Sequence, residues 1–220
     1  MGVDVSVGSA RAEVLRRIRA ANGGAADGVA ARAQWEGVAR EYRRSGTRVR
    51  ELMLELLEDR LRDYDATVVR AAGGDVARSV AGMLAARGVK RMVVPAGLTP
   101  EWLPGGIEFV VDEGLSADEL NGFDGVMTGA TLAIAETGTV VLQNVAGQGR
   151  RAATLVPDYH ICLVRVDDVV ETVPEAMARL QETAEFATTF VSGPSATADI
   201  EMTRIKGVHG PRFLDVILIH

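Results

Sequence analysis

The sequence predicts an α/β fold with a mainly parallel open sheet, helices on both faces of that sheet, and further helices before it at the N-terminus. Two observations predict this class. From residue 66 onward, short valine-rich runs alternate with segments whose apolar residues recur at helical spacing. Before residue 66, the clearest patterns are two segments with helical spacing alone. Strands that alternate with helices are typical of a parallel sheet covered on both faces.

The two N-terminal helices are predicted over residues 9–21 and 47–64, where the apolar side chains of each segment fall on one helical face. The apolar residues are Val14, Leu15 and Ile18 in the first segment and Val49, Leu52, Met53, Leu56, Leu57 and Leu61 in the second. The segment NGGAADG at 22–28 is rich in glycine and predicts a mobile joint. The first helix would then be a detachable arm.

The strands of the sheet are predicted from residue 66 to the C-terminus. In order they are ATVVRA (66–71), KRMVVPA (90–96), IEFVVD (107–112), FDGVMTG (123–129), ATLAIAE (130–136), TVVLQ (139–143), HICLVRV (160–166), TTFVSG (188–193) and FLDVILI (213–219). The fifth and sixth are predicted to fold back on each other around Thr137 and Gly138 within the same sheet.

Helices are predicted between several of these strands. One runs from Asp75 as its cap to Gly88 as its stop, and a second begins at a capping box formed by Ser116 and Glu119. A third, over residues 173–186, has a proline in its first turn. The first of these helices and its two flanking strands form a βαβ unit.

The length of 220 residues fits one sizeable domain, and no Ser/Pro-rich linker divides it. We therefore predict a helical extension over residues 1–65 and an α/β domain over residues 66–220. The net charge is −6 and the pI is about 5.2, with acidic and basic residues interspersed. This balance lacks the basic patch of a nucleic-acid binder, so no nucleic-acid partner is expected.

The apolar runs are the length of strands, far below the roughly 20 residues of a membrane-spanning helix, so no membrane partner is expected. The first residues do not read as a secretory leader, and the single Cys162 cannot form an intrachain disulfide. The sequence therefore predicts a cytoplasmic protein.

Glu136 lies in the almost wholly apolar stretch GATLAIAETGTVVL. An ionised carboxylate among aliphatic side chains is costly unless donors satisfy it, so it is either a structural hydrogen-bonding group or a group kept for chemistry. We take Glu136 as the candidate catalytic residue. Its small and polar neighbours Gly129, Thr137, Gly138 and Thr139 are candidate ligand-binding residues.

A candidate anion loop follows the strand TTFV. Ser192, Gly193, Ser195 and Thr197 lie where the chain is predicted to leave that strand and enter a short helix near Thr197 or Ala198. A helix N-terminus at the carboxyl end of a parallel strand favours an anion, and the hydroxyls would add donors. The alternative is an ordinary capped turn between a strand and a helix.

Arg150 and Arg151 follow two glycines at 147–149 and are candidates to grip a carboxylate or phosphate through bidentate hydrogen bonds. The alternative is that both are ordinary surface arginines. Lys206 could assist an anion or be a solvated loop charge, and His209 within GVHGP is predicted on a loop.

No cofactor and no metal are predicted. The Gly-Lys-Ser/Thr ending of a nucleotide-binding loop is absent, and the glycine-rich segment at 24–28 does not follow a strand. The three histidines are scattered, and His160 and Cys162 are interpreted as a buried pair on one strand face. One cysteine cannot hold an iron–sulfur cluster.

Three segments together carry a family resemblance: GATLAIAETGT at 129–139, GQGRRAATLVPDYHI at 147–161 and SGPSATADIEMTRIKGVHGP at 192–211. They resemble the LUD-domain family, and the resemblance covers about residues 66–220. It implies a fold like that of the NagB, ribose-5-phosphate isomerase and CoA-transferase superfamily. It also implies membership of a three-protein system that oxidises L-lactate to pyruvate and whose other members carry the iron–sulfur clusters.

With this resemblance we predict a non-redox component of lactate oxidation that binds iron–sulfur partner subunits. From the residues themselves we predict docking through the amphipathic N-terminal helices and a small anionic ligand at the anion loop. One alternative is a stand-alone enzyme, similar to a CoA transferase or a sugar-phosphate isomerase, that uses Glu136 as nucleophile or general base. The other is an anion-sensing or scaffold subunit that uses the anion loop without turnover. The resemblance supplies no agreed catalytic residues.

Overall fold

The fold is given by a computed structural model, which describes residues 7–23, 28–197, 205–206 and 209–220. The chain divides into two compact units, Met1–Tyr42 and Arg43–His220. The first unit carries α1 (Val7–Ala21) and α2 (Gly28–Glu36). The predicted helix at 9–21 is confirmed as α1, whereas α2 was not predicted. Residues 24–27 of the predicted mobile joint lie outside the described residues.

The second unit alternates strands and helices along the chain, and 3₁₀ turns fill several connections. Its helices are α3 (Arg50–Asp63), α4 (Val76–Arg87), α5 (Ala117–Asn121) and α6 (Val173–Leu180). Its strands are β1 (Thr67–Ala71), β2 (Arg91–Pro95), β3 (Glu108–Asp112), β4 (Gly125–Gly129), β5 (Leu132–Ile134), β6 (Thr139–Gln143), β7 (Tyr159–Arg165), β8 (Val169–Val170), β9 (Thr188–Val191), β10 (Ala196–Thr197), β11 (Ile205–Lys206) and β12 (Phe213–Ile219).

The helix boundaries follow the local sequence signals. The capping box of α5 is present, because Ser116 Oγ accepts from the Glu119 N–H and the Glu119 carboxylate accepts from the Ser116 N–H. Thr172 and Glu175 form a second capping box at the start of α6. Helix α4 ends at Gly88 in the left-handed region, as predicted.

Six strands form one sheet in the order β1-β12-β7-β4-β2-β3, and every pairing in it is parallel. Helix α4 packs on one face of this sheet, with Val80 and Leu84 fully buried against it. Helix α3 lies in the core on the other face, through Leu57 and Leu61. The predicted parallel α/β fold is confirmed.

A second sheet has the order β8-β5-β6-β9, with antiparallel pairing of β6 to both β5 and β9. The prediction that the hairpin β5–β6 and the strand β9 belong to the parallel sheet is therefore wrong, although the hairpin itself is confirmed. One face of the hairpin packs toward α3 and the parallel sheet, and the other packs toward α6. Because both faces are buried, the hairpin is as uniformly apolar as a parallel strand.

Helix α3 packs against β1 and lies in the same compact unit as the two sheets. The compact units therefore divide the chain after Tyr42, and the domain boundary at residue 66 stays a prediction. Within the described part of the chain, no helix is long and apolar enough to cross a membrane.

Candidate functional site

The turn between β5 and β6 carries Glu136, as the sequence predicts. Its backbone N–H donates to the carbonyl of Glu171 at 3.1 Å. Its carboxylate accepts a hydrogen bond from Arg43 and lies 3.9 Å from Nη1 of Arg48. The Glu136 side chain keeps 31% of its surface exposed. The charge in this apolar stretch is therefore compensated by arginines from a distant part of the chain, Arg43 being 93 residues away.

Glu171 shares those arginines and is far more buried, with 3% of its side chain exposed. Its carboxylate accepts from the backbone N–H groups of Thr47 and Arg48 at 2.8 and 2.7 Å. It also accepts from the guanidinium groups of Arg48 at 2.6 Å and Arg43 at 3.1 Å. The backbone N–H of Arg48 contributes most to holding the pKa of Glu171 below its usual value, against the opposing effect of burial.

Residues 43–48 form a segment without regular secondary structure that we call the arginine segment. Besides its bonds to Glu171, it donates the N–H of Gly46 to the carboxylate of Glu175 at 3.0 Å. Sequence reasoning missed this arrangement entirely. The available signal was the basic run RRSGTR at 43–48, which could have suggested a partner for the isolated carboxylate of Glu136.

A chain of hydroxyls joins the Glu136 turn to the candidate anion loop. Thr137 Oγ1 lies 2.7 Å from Thr139 Oγ1, and Thr139 Oγ1 lies 2.7 Å from Ser192 Oγ. Gly138 adopts φ +59° where the turn passes close to Arg60 on α3. Thr137 and Thr139 are thus connected through hydroxyl groups to Ser192, which lies 53 residues after Thr139. Gly129, in contrast, ends β4 and donates its N–H to the Gly147 carbonyl at 2.8 Å.

A cavity of about 150 Å³ opens beside the anion loop, and we call it the Arg151 cavity. Its wall contains side chains or backbone from β7, β9, the start of β12 and the loops near them. The lining residues are Arg151, Thr154, His160, Phe190, Val191, Ser192, Gly193, Pro194, Ser195, His209, Gly210, Pro211 and Leu214. Four of the candidate ligand-binding residues, Arg151, Ser192, Gly193 and Ser195, are therefore brought together, and Glu136 does not belong to this lining.

The anion loop is fixed to the chain segment before β12. Ser195 donates its N–H to the Pro211 carbonyl at 2.8 Å, and its Oγ accepts from the His209 N–H at 3.1 Å. His209 is exposed on a loop, as predicted. These two bonds hold one wall of the cavity in place.

At Thr197, the first of the two positions where the sequence predicts a helix to begin, the chain forms a strand instead. Ala196 and Thr197 form β10, which pairs antiparallel with Ile205 and Lys206 of β11, so that no helix begins at Thr197. Residues 198–204, which include Ala198, lie outside the described residues. The strand before the loop also belongs to the second sheet, and the cavity lies at the amino ends of β7 and β12. The rule that ligands bind at the carboxyl ends of parallel strands therefore does not apply here.

Arg150 is occupied by a structural ion pair. Its guanidinium donates to both oxygens of Asp112 at 2.8 and 2.9 Å and also to the Leu115 carbonyl. Burial raises the pKa of Asp112, but hydrogen bonds from Arg150 and from two backbone N–H groups outweigh it and leave that pKa below its usual value. Arg150 thus holds the turn after β3, and it does not line the Arg151 cavity.

Arg151 is held differently, although it is the next residue. Its Nη1 donates to the carbonyl and to Oγ1 of Thr154, both at 3.2 Å. Among the described residues, no carboxylate lies within ion-pair distance of Arg151. Its remaining N–H groups are therefore open to a ligand in the cavity.

His160 forms the deep wall of the cavity and is 2% exposed. A hydrogen bond of 2.9 Å joins its Nε2 to Thr128 Oγ1. Burial, with a smaller contribution from Arg151, lowers the pKa of His160 to about 4, so its ring is neutral at pH 7. Cys162 is fully buried beside the same threonine, and burial raises the pKa of its thiol to about 12. His160 and Cys162 are therefore a buried strand pair, as interpreted from the sequence.

Across the part of the chain that the structure describes, no three His, Cys, Asp or Glu side chains lie close enough together to hold a metal ion. The chemistry that the cavity offers is instead that of one guanidinium, several hydroxyls and a neutral imidazole. This arrangement suits reversible binding of a small anion.

The fold and the site together define an α/β protein with a parallel six-stranded sheet and a small polar cavity beside a second sheet. The family model described as LUD domain matches residues 111–219. A relative named Lactate utilization protein C, from Deinococcus radiodurans, is 42% identical over 170 residues, which are 76% of this chain and 79% of the relative. The chain therefore belongs to the LUD-domain family.

Further relatives match over shorter stretches. Lactate utilization protein C of Bacillus pumilus is 42% identical over 84 residues, covering 36% of this chain and 35% of the relative. The uncharacterized protein YkgG of Escherichia coli is 34% identical over 88 residues, covering 37% and 38% of the two chains. A crystal structure of a DUF162 family protein from Deinococcus radiodurans superposes with a TM-score of 0.70 at 37% identity. It covers 79% of this chain and 100% of that chain.

Proposed function

We propose that this chain is the non-redox component of a lactate-utilisation system, which oxidises L-lactate to pyruvate together with iron–sulfur partner proteins in the cytoplasm. The observation that carries the proposal is the 42% identity, over 76% of the chain, to a relative named Lactate utilization protein C. The local matches to relatives of the same name in other bacteria support it.

The chemistry of the side chains supports the non-redox assignment. Removing two electrons from lactate requires an acceptor, and clusters that accept electrons are held by several cysteine thiolates. This chain has one cysteine, and its thiol is fully buried and hydrogen-bonded. The electrons would then pass through the partner proteins.

The first alternative, an enzyme similar to a CoA transferase or sugar-phosphate isomerase, needs the carboxylate of Glu136 open to a cleft. In this fold Glu136 is paired with Arg43 and lies outside the lining of the Arg151 cavity. A carboxylate that accepts a hydrogen bond from an arginine must give up that bond before the same oxygen can act as nucleophile or base. This arrangement favours a structural role of Glu136 and therefore disfavours the enzyme.

The second alternative, an anion-sensing or scaffold subunit, is favoured by a specific observation: within the described part of the chain, the cavity arginine Arg151 donates only to the neutral oxygens of Thr154. It is compatible with membership of a lactate-utilising complex. A sensing role would make the rate of the complex depend on occupancy of this cavity.

The experiment is reconstitution of the complex. The purified chain is mixed with the candidate iron–sulfur partners, and we expect them to co-purify. L-Lactate should then reduce a dye faster with the chain than without it, while the isolated chain should reduce none. Equal rates in both mixtures together with no co-purification would refute a role in the complex. Turnover of lactate by the isolated chain would refute the non-redox assignment.

A further inference from the structure

The Arg151 cavity has a charge balance that selects its ligand. Among the described residues that line it, Arg151 alone carries a fixed positive charge. Its neighbour Arg150 shows what a satisfied guanidinium looks like in this fold, with both oxygens of Asp112 bound. Among the described residues, Arg151 donates only to neutral oxygens of Thr154. Because Arg151 is an exposed residue, its remaining N–H groups can bind an anion in the cavity.

The deep wall of the cavity carries no charge at neutral pH. His160 is buried and its ring is neutral, because burial lowers its pKa to about 4. Within the described residues of the loop, Ala196 and Thr197 form a strand, so this part of the loop supplies no helix N-terminus of the kind that commonly binds phosphate dianions. A single planar guanidinium matches a monoanionic carboxylate in charge and in bidentate geometry.

The volume of the cavity and its other lining residues further restrict the class of ligand. A cavity of about 150 Å³ has room for a molecule, or for the end of one, of roughly the size of benzene. Pro194, Pro211 and Leu214 supply apolar surface. Ser195 Oγ accepts from the His209 N–H, and its own hydroxyl hydrogen has no acceptor among the described contacts. That hydroxyl is therefore available to a polar group beside the carboxylate.

We propose that the Arg151 cavity binds a small monocarboxylate with a hydroxyl or oxo group on the adjacent carbon. The carboxylate lies on the guanidinium of Arg151, the adjacent oxygen faces Ser195, and the hydrocarbon end lies against the two prolines and Leu214. The choice of L-lactate and pyruvate as ligands rests on the proposed function. The class of ligand rests on the cavity.

The test is binding to the isolated chain, measured by calorimetry and by thermal unfolding with L-lactate, pyruvate, acetate and inorganic phosphate at one ionic strength. We expect lactate and pyruvate to bind and to raise the melting temperature more than acetate, because acetate lacks the second oxygen. Phosphate should raise it least.

Variants locate the site. Arg151→Gln should weaken lactate binding by roughly tenfold or more, since it removes a charged hydrogen-bond donor. Arg151→Lys keeps the charge but cannot form two parallel hydrogen bonds to a carboxylate. Its affinity for lactate should lie between that of the wild type and that of Arg151→Gln. Arg179→Gln removes the same charge from a half-exposed surface arginine outside the cavity and should leave binding unchanged. Ser195→Ala should weaken lactate binding more than acetate binding.

The proposal would be overturned by equal binding to wild type and Arg151→Gln, by equal effects of Arg151→Gln and Arg179→Gln, by stabilisation with phosphate that equals stabilisation with lactate, or by no carboxylate binding at all. The proposal and the proposed function fail separately. If the isolated chain binds none of these carboxylates while the dye assay still requires it, the cavity assignment is wrong and the function stands. If it binds lactate but the dye assay does not require it, the function is wrong and the site stands.

Discussion

Glu171 accepts hydrogen bonds from both the backbone N–H and the guanidinium of Arg48, at 2.7 and 2.6 Å. This double contact fixes the arginine segment to a carboxylate that is almost completely buried. Glu136 lies beside the same arginines, but among the described contacts its carboxylate is bound by side chains alone, and its side chain is about one-third exposed. We therefore expect Glu171 to contribute more to the stability of the fold than Glu136, although only Glu136 stands out in the sequence.

The first prediction compares Glu171→Gln with Glu136→Gln. In the first variant an amide NH₂ replaces one carboxylate oxygen and faces the N–H groups of Thr47 and Arg48, so that donor meets donor. We therefore expect a loss of about 2–3 kcal/mol in the free energy of unfolding. Glu136→Gln breaks a partly exposed ion pair and should cost less than about 1 kcal/mol. Urea denaturation of both variants measures the difference.

Lactate binding provides the control for this comparison. If Glu136 is structural, Glu136→Gln should bind lactate as the wild type does. If Glu136→Gln unfolds like the wild type but has lost lactate binding or activity, Glu136 is a site residue and the structural interpretation is wrong. Equal destabilisation by the two substitutions would contradict the difference in burial.

Much of the fold was predictable because its signals are local. The periodicity of α4, the glycine that ends it and the capping box of α5 each depend on neighbouring residues. The sheet to which a strand belongs does not depend on its neighbours in the sequence. The hairpin β5–β6 is buried on both faces, so its apolar sequence pattern is the same whether it belongs to a second antiparallel sheet or to the parallel sheet.

The site was predictable in part for the same reason. The serines of the anion loop stood out by composition, and the fold brings Ser192 and Ser195 to one cavity with Arg151. The difference between Arg150 and Arg151 could not be predicted, because it depends on the long-range pairing with Asp112. The strand at Ala196 and Thr197 could not be predicted, because its pairing partner, Ile205–Lys206, lies further along the chain.

The second prediction concerns Gly193 in the cavity wall. It adopts φ +83°, and an added Cβ would lie 2.4 Å from Cβ of Tyr64. Gly193→Ala should therefore destabilise the protein by about 1–3 kcal/mol. Gly82→Ala is the matched control, because Gly82 lies within α4 and an added Cβ meets nothing within 4 Å.

We expect Gly82→Ala to stabilise the protein by up to about 1 kcal/mol, through the higher helix propensity of alanine. Urea midpoints at constant slope measure both changes. A stable Gly193→Ala variant with unchanged lactate binding would mean that Tyr64 can move away at little cost, and that the wall of the cavity is not rigid there.

The third prediction concerns the partner surface. Helix α1 exposes Val14 and Ile18, with 56% and 50% of their surface accessible. Apolar side chains on one face of an amphipathic helix are a common docking surface. Val14→Ser combined with Ile18→Ser should reduce co-purification with the iron–sulfur partners, while lactate binding by the isolated chain stays unchanged.

The control for docking is Met177→Ser, which removes a side chain of similar exposure (48%) from α6. It should leave co-purification intact. If the α1 double variant and Met177→Ser reduce co-purification equally, the partners do not recognise α1 specifically. If neither variant reduces it, the partners bind another surface.

The last prediction is a dependence of stability on pH that comes from His160. Its pKa is about 4 in the folded protein, because burial and, to a smaller extent, Arg151 disfavour the charged ring, whereas the ordinary value is 6.5. Between these values the unfolded chain binds the proton and the folded chain does not. The free energy of unfolding should therefore fall as the pH falls from 6.5 to 4, by about 3 kcal/mol from this residue alone. Above pH 6.5 the ring is neutral in both states and contributes no pH dependence.

The matched variant for this prediction is His160→Gln, which keeps a group that can bond Thr128 but cannot titrate. The difference in stability between wild type and this variant should therefore change by about 3 kcal/mol between pH 7 and pH 4. Arg151→Gln removes the nearby positive charge and should make the pH dependence slightly shallower than that of the wild type. Urea denaturation at half-unit pH steps measures all three proteins. Parallel curves for wild type and His160→Gln would show that the imidazole is protonated as easily inside the protein as outside it.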